Sequence, residues 1–278
     1  MNTAHALAYP LPLFENTSAL EQRIDSADHI ALLLDFDGTI SEIVSRPEEA
    51  EMAPAIRPLL ETLGSRPDFN VAVVSGRALE DVRTRTGFEN LIYVGNHGLE
   101  IEAGATRFRE PHAESLRREL RSLSLQLKLA LAETEGVEIE DKGLTLSVHY
   151  RRVPDQLHHW VREITNGAAT RSRSFLCREG KMVLEVKPQS AWNKGYAIRW
   201  ILREILPSPS LPIYIGDDVT DEDAFAAIPQ GITIRVGDPG VSRAQFFVPN
   251  VAAVGEFLQW LIQAKTHGSR ATAQRAGR

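Results

Sequence analysis

The sequence predicts an α/β protein, a parallel-sheet domain interrupted by a small α+β unit. Short apolar runs at Ile30–Leu34, Asn70–Val74 and Leu91–Val94 alternate with stretches of helical spacing, the pattern of strand–helix–strand units. Each run stops abruptly in polar residues, as strands buried on both faces do when they deliver groups at the carboxyl edge of an open sheet. Between about residues 108 and 188 the order changes to helix, hairpin, helix, hairpin, which predicts the inserted unit.

A chain of 278 residues with 43% apolar content can hold a core domain and a smaller one. Its formal charge of −6 gives no electrostatic reason to expect nucleic acid or an anionic membrane as partner. A single cysteine, Cys177, excludes an internal disulfide and suits a reducing compartment; on its own it reads as a small buried hydrophobe. No stretch approaches the roughly 18 apolar residues of a membrane span. Met1–Phe14 lacks the basic start and apolar block of a signal peptide, so a cytoplasmic protein is expected. Residues 1–17, with Pro10 and Pro12, read as an irregular arm, and Thr266–Arg278 as a disordered tail.

The run Ile30–Leu34 ends in Asp35, Phe36, Asp37, Gly38 and Thr39. Two carboxylates flanking one aromatic repel each other in a dry setting unless a cation or a transferred proton separates their roles. Gly38 lets the backbone turn and approach a ligand, and the Thr39 hydroxyl can donate to an anionic oxygen. Taken alone, the stretch is equally a strand followed by an Asp-Gly turn. Ile56, Leu59, Leu60 and Leu63 predict a helix within Pro54–Leu63. The second strand ends in Ser75, Gly76 and Arg77; Leu79–Thr84 reads as a helix, and the third strand ends in Gly95, Asn96, His97 and Gly98. An Asn-His pair beside glycines is ordinarily a turn, but three successive strands ending in polar clusters point to a site.

Leu116, Leu120, Leu123 and Leu127 recur at helical spacing within Glu114–Leu131 and predict the core face of one helix. Val137–Asp141 and Leu144–Tyr150 form a hairpin pattern about Lys142 and Gly143. A helix about Asp155–Ala168 follows, then a second hairpin from Phe175–Arg178 and Met182–Lys187. Glu185 and Lys187, two apart on a strand, share one face, a pattern that a surface ion-pair ladder has as well. The parallel domain resumes with a helix over Trp192–Leu206, opened by Asn193, Lys194 and Gly195, and a strand over Leu211–Ile215. That strand runs into Asp217, Asp218, Asp221, Glu222 and Asp223. Such carboxylate density is costly without a cation, and hard oxygen donors suit Mg²⁺. Acids favoured at a helix start explain Asp221–Asp223 well and Asp217 with Asp218 poorly. Ile232–Val236 adds a strand and Val251–Ile262 a closing helix.

Asp35-Phe-Asp-Gly-Thr, Ser75-Gly-Arg, Lys194-Gly and Gly216-Asp-Asp-Val-Thr-Asp-Glu-Asp, in this order, resemble the four motifs of the haloacid dehalogenase superfamily of phosphotransferases. Gly95-Asn-His-Gly, His149-Tyr-Arg and Leu184-Glu-Val-Lys-Pro further resemble trehalose-6-phosphate phosphatases, and the likeness covers roughly His29–Leu261. The resemblance implies a Rossmann-like core over residues 18–107 and 189–265, with an α+β cap over 108–188. It implies Mg²⁺-dependent hydrolysis of trehalose 6-phosphate to trehalose and phosphate through an aspartyl-phosphate. Asp35 is then the nucleophile and Asp37 the general acid and base. Ser75 and Lys194 hold the phosphate, while Asp35, the Asp37 carbonyl and Asp217 hold the metal. Thr39, Gly76, Arg77, Asn96, His97 and Asp218 stand on the substrate side of the core, and His149, Arg151, Glu185 and Lys187 meet the sugar from a cap that excludes water. Two alternatives stay open, a phosphatase for another sugar phosphate (of sucrose phosphate or glycosyl-phosphoglycerate type) and a catalytically silent sugar-phosphate binding module.

Overall fold

Ile30–Leu34 are wholly removed from solvent, as a strand with apolar side chains on both faces requires. They form the middle of β2 in a computed structural model that describes residues 7–44 and 46–276, with side chains as far as residue 265. The chain divides into two compact units, Met1–Arg107 with Asn193–Arg278, and Phe108–Trp192.

The first unit opens with β1 (Leu11–Pro12), a single 3-10 turn and α1 (Thr17–Ser26). Part of the expected irregular arm is thus ordered: β1 pairs with a distant strand near the C-terminus, because extended residues beside Pro10 and Pro12 still offer backbone groups to a sheet edge. Residues 1–6 of that arm lie outside the described residues. After β2 (His29–Asp35) come α2 (Arg57–Gly64), β3 (Phe69–Val74), α3 (Leu79–Thr86) and β4 (Ile92–Gly95). Then follow β5 (Glu100–Ala103) and β6 (Thr106–Arg109), short strands that the periodicity does not announce because half their side chains are charged.

The second unit holds α4 (Pro111–Ser115), α5 (Arg117–Ala130), β7 (Glu138–Asp141), β8 (Leu146–His149), α6 (Asp155–Ser172), β9 (Phe175–Glu179) and β10 (Val183–Pro188). The single helix expected over Glu114–Leu131 is two. Glu110 caps α4 by accepting from the Ala113 N–H at 2.6 Å, with Pro111 in the first turn, and Leu116 then breaks the path before α5. Leu120, Leu123 and Leu127 do face the core, packed against Leu146, Val148, Leu184 and Val186 of the antiparallel sheet β7-β8-β10-β9. The chain returns through α7 (Lys194–Glu204), β11 (Ser210–Gly216), α8 (Asp221–Ala227), β12 (Ile232–Val236), β13 (Phe246–Val248) and α9 (Val251–Ala276). Where a disordered tail was expected from Thr266, the backbone continues as helix to Ala276. Its Ala, Gln and Arg residues are good helix formers, and they outweigh Gly268. Residues 277 and 278 lie outside the described residues.

The larger sheet has the order β1-β13-β12-β11-β2-β3-β4-β5-β6. Pairing is parallel from β1 through β4 and antiparallel between β4 and β5. β2 and β11 are central and neighbouring, in the register Leu34↔Ile215, and β3 lies on the other side of β2 with Asp35↔Val74. The carboxyl ends of β2, β3, β4 and β11 therefore deliver their polar clusters to one edge of one sheet. No helix among the described residues is long and apolar enough to cross a membrane.

Candidate active site

Asp35 is the last residue of β2 and 4% exposed. Lys194, at the first position of α7, is 3% exposed and brings its ammonium 2.6 Å from Asp35 Oδ1 and 2.7 Å from Asp221 Oδ1. The neighbouring Asn193 fixes that helix start by accepting from the Tyr196 N–H at 3.0 Å. Asp221 opens α8, as an acid at a helix start should, but it is 0% exposed and not a solvated cap. Its Oδ1 also accepts from the Tyr214 hydroxyl at 2.7 Å, and its Oδ2 from the Asp218 N–H at 2.9 Å. The reading that put Asp221 aside with Glu222 and Asp223 is corrected by this geometry. The second acid of the Gly216-to-Asp223 run that turns inward is Asp221, four residues after Asp217.

One ligand atom each from Asp35, Asp217 and Asp221 lies within 4.8 Å of the others. Lys194 brings a single positive charge to these three carboxylates, so a divalent cation would balance the remainder. The donors are all hard oxygens, as Mg²⁺ prefers. Gly38 is what admits Asp217. A side-chain carbon at Gly38 would lie 2.4 Å from the Asp217 carboxyl carbon, and the position has φ +83°, which a side chain disfavours. Burial, reinforced by Asp221 and Asp217 and only partly offset by Lys194, pushes the Asp35 carboxyl well above its usual range. Burial works against the Lys194 ammonium, but Asp221 and Asp35 outweigh it and hold its pKa up. Burial and Asp221 likewise raise Tyr214.

Asp37 occupies a different environment. Its side chain is 42% exposed, and Arg77 grips it with two parallel bonds, Nε to Oδ2 at 2.8 Å and Nη2 to Oδ1 at 2.7 Å. The Arg77 guanidinium also stands over the Phe36 ring, 5.5 Å from its centroid. Ser75 is buried beyond β3; its Oγ accepts from the Arg77 N–H at 3.1 Å, and its carbonyl from the His97 N–H at 3.0 Å. Gly76 lies against the His97 ring so closely that an added side-chain carbon would meet Cε1 at 2.4 Å. Asn96 and His97 both have positive φ, at 50° and 56°, a strained pair for residues other than glycine. Asn96 donates to Glu100 Oε2 at 2.8 Å, and its own N–H donates to the Arg77 carbonyl at 2.7 Å. Thr39 is buried, and its Oγ1 has no partner among the described residues. Asp218 turns its carboxylate to its own loop, accepting from Thr220 Oγ1 at 3.2 Å; burial raises its pKa, but the Val219 backbone N–H, Lys194 and Thr220 together hold it below the usual value.

The remaining sequence candidates lie in the unit Phe108–Trp192. His149, Glu185 and Lys187 share one face of the antiparallel sheet, opposite the face that packs on α5 and α6. Glu185 Oε1 accepts from Ser147 Oγ at 2.7 Å and from Lys142 Nζ at 3.4 Å, while His149 Nε2 is 3.3 Å from Glu140. Arg151, in the turn after β8, donates to the Lys181 carbonyl at 3.2 Å. The face is a polar ladder in which Glu140, Lys142 and Ser147 accompany the expected residues.

A family model of trehalose-phosphatases matches residues 33–248 of the chain. A trehalose-phosphate phosphatase of Mycobacterium tuberculosis is 35% identical over 238 residues, covering 82% of this chain and 60% of that protein. An uncharacterised glycosyl hydrolase of the same species is 38% identical over 227 residues, covering 77% of this chain and 17% of its own length. The chain thus spans less than two thirds of either relative. Among solved structures, the C-terminal domain of trehalose-6-phosphate phosphatase from Candida albicans matches with a TM-score of 0.75 at 22% identity, over 92% of this chain and 98% of that one. At that identity the likeness concerns the fold.

Proposed function

The chain belongs to the trehalose-phosphatase family, and on that footing we propose that it hydrolyses trehalose 6-phosphate to trehalose and inorganic phosphate. The observation that carries the proposal is the pairing of two differently held carboxylates at one strand end. Asp35 is buried against Lys194, and Asp37, two residues on, is part-exposed in the fork of Arg77.

In this reading Asp35 attacks phosphorus and the bond from phosphorus to the sugar oxygen breaks, giving an aspartyl-phosphate and free sugar. Asp37 protonates the departing oxygen and then takes a proton from the water that attacks the aspartyl-phosphate, which releases phosphate and restores Asp35. Lys194, held by Asp221, places its charge beside the nucleophile where phosphate oxygens gather, and Ser75 and Thr39 offer hydroxyls to them. Mg²⁺, held by Asp35, Asp217 and the Asp37 carbonyl, would offset repulsion between carboxylate and phosphate and favour the ionised form of Asp35. Asp221, with both oxygens engaged, serves Lys194 and the loop rather than the ion. The polar sheet face bearing His149, Glu185 and Lys187, with Arg151 beside it, supplies donors and acceptors for sugar hydroxyls. A reducing, cytoplasmic setting fits the single Cys177.

The test is phosphate release from trehalose 6-phosphate, sucrose 6-phosphate and glucose 6-phosphate, in Mg²⁺ and in excess chelator, for the wild type and Asp35→Asn. Turnover of trehalose 6-phosphate that the chelator and the substitution each abolish is expected. Preference for another sugar phosphate would overturn the substrate, and full activity in chelator would overturn the metal.

A further inference from the structure

Arg77 is the middle of a longer chain of charges. Its Nη1 donates to Asp81 Oδ2 at 2.9 Å, on the side of the guanidinium away from Asp37. Asp81 in turn accepts from Arg85 Nε at 2.9 and 3.0 Å. Asp81 and Arg85 are four apart on α3 and so lie on one line of its surface, while Arg77 reaches Asp81 from the loop just before that helix. Arg85 does not end in solvent. Its Nη1 donates to the carbonyls of Glu48 and Ala50, at 3.0 and 2.7 Å, in the segment that Asp37 begins. The chain therefore runs from one end of that segment, through α3, back to its far end.

The side chains are only partly exposed, 11% for Arg77, 18% for Arg85 and 31% for Asp81. Burial raises the Asp81 pKa, but Arg85 and Arg77 more than compensate and hold it below the usual carboxylate range. Asp81 is therefore ionised whenever the site operates. A guanidinium fork held at its third nitrogen keeps one orientation, and that orientation is what points the Asp37 carboxylate.

We propose that Asp81, backed by Arg85, is the positioning residue that aims Asp37 at the leaving oxygen, through Arg77, without touching substrate. The inference rests on Asp37 acting as the acid and base of the reaction proposed above. A carboxylate whose support is loosened stays in the site but loses its line to the oxygen, and displacement of a reacting group by a small distance is costly. The loss should fall on substrates whose leaving group needs a proton. It should spare those whose leaving group departs as a stable anion.

The experiment compares kcat and KM of the wild type, Asp81→Asn, Arg85→Met and the double variant on trehalose 6-phosphate and on 2,4-dinitrophenyl phosphate, with thermal melting of each. Asp81→Asn is expected to lower kcat on trehalose 6-phosphate by about 10- to 100-fold. KM for trehalose 6-phosphate, and kcat/KM for the aryl phosphate, which reports only formation of the aspartyl-phosphate and not the later step in which Asp37 takes the water's proton, should stay within about threefold of wild type. Because the two side chains act in series, the double variant should lose little beyond Asp81→Asn. Should Asp81→Asn fail to fold, Arg85→Met reads the same substrate ratio. Equal loss of kcat/KM on both substrates would make Asp81 a structural residue, and undiminished turnover of trehalose 6-phosphate would remove it from the reaction; either result overturns the inference. If the wild type spares trehalose 6-phosphate but hydrolyses another alkyl phosphate, the function proposed above falls and the ratio on that ester still decides this one. Absence of any phosphate-ester hydrolysis overturns both.

Discussion

Replacing Lys194 with methionine keeps the volume of the side chain and removes the ammonium that lies 2.6 Å from Asp35 and 2.7 Å from Asp221. Both carboxylates are then left buried, at 4% and 0% exposure, without that charge. Breaking a buried pair by deleting one partner costs about 3–5 kcal/mol. At about 2–4 °C of melting temperature per kcal/mol for domains of this size, the variant should melt about 6–20 °C below wild type at neutral pH without Mg²⁺. The deficit has a direction with pH. The folded-state pKa of Asp35 is already raised, so its contribution is favourable at low pH and is lost as pH rises through the folded value. Without Lys194 that value rises further, and the gap between variant and wild type should widen with increasing pH and close in acid. Lys194 itself, with a raised pKa, keeps its stabilising charge throughout the range below its unfolded value of about 10.4. Thermal melting across pH, beside phosphate release, is the assay. Catalysis should be abolished at every pH. A variant that melts within about 1 °C of wild type at neutral pH, or one whose deficit grows in acid, would refute the account of a buried cation holding two carboxylates.

Gly38→Ala forces a carbon to 2.4 Å from the Asp217 carboxyl at a backbone φ of +83°. The Mg²⁺ concentration for half-maximal activity should rise about 10- to 100-fold, as when a ligand's support is lost, and an unchanged requirement would separate Asp217 from the metal. Tyr214→Phe removes the hydroxyl that Asp221 accepts at 2.7 Å; a hydrogen bond to a charged group is worth about 1.5–3 kcal/mol, so chemical denaturation should show a loss of that order. Glu185→Ala should cut kcat/KM for trehalose 6-phosphate by about 10- to 150-fold through the same class of bond, and leave a small aryl phosphate untouched. Equal loss on both would return Glu185 to a structural part in the ladder with Ser147 and Lys142.

The sheet was legible because its strands announce themselves twice, by unbroken apolar runs and by the polar residues that end them. Ile30–Leu34 with Asp35, and Asn70–Val74 with Ser75, are cases where burial and site placement leave separate marks. Asp221 left no such mark. An acid at the first position of a helix is ordinary, and only the third dimension shows that its carboxylate turns inward to Lys194 and Tyr214. Asp81 and Arg85 were invisible for a related reason, since charges four apart on a helix are usually a solvated ladder. β5 and β6 escaped because half their side chains are charged, as a short strand at the sheet edge or next to it can be. On the polar sheet face of the second unit, Glu185 and Lys187 could be placed by alternation alone, whereas Lys142 and Glu140 could not, because their part depends on which strand lies alongside.

Asp35 and Asp37 are the same residue type two positions apart, yet the proposed reaction asks one to stay ionised and the other to exchange a proton. The fold separates them by what each meets beyond the strand end. Asp35 is still within β2, flanked by β11 and β3, and its partner Lys194 is as buried as it is. Asp37 is past the strand, where exposure reaches 42% and the partner arrives from the loop between β3 and α3. Lys194 presents a compact charge that fits among converging oxygens, and its link to Asp221 leaves it there when the phosphate arrives. Arg77 presents a flat fork that fixes the orientation of a carboxylate rather than merely its charge. Exchanging the two cations in place, Lys194→Arg or Arg77→Lys, should therefore fail in different ways. The first would overfill a closed site; the second would keep the charge near Asp37 and lose its aim, so Arg77→Lys should copy the leaving-group dependence expected of Asp81→Asn.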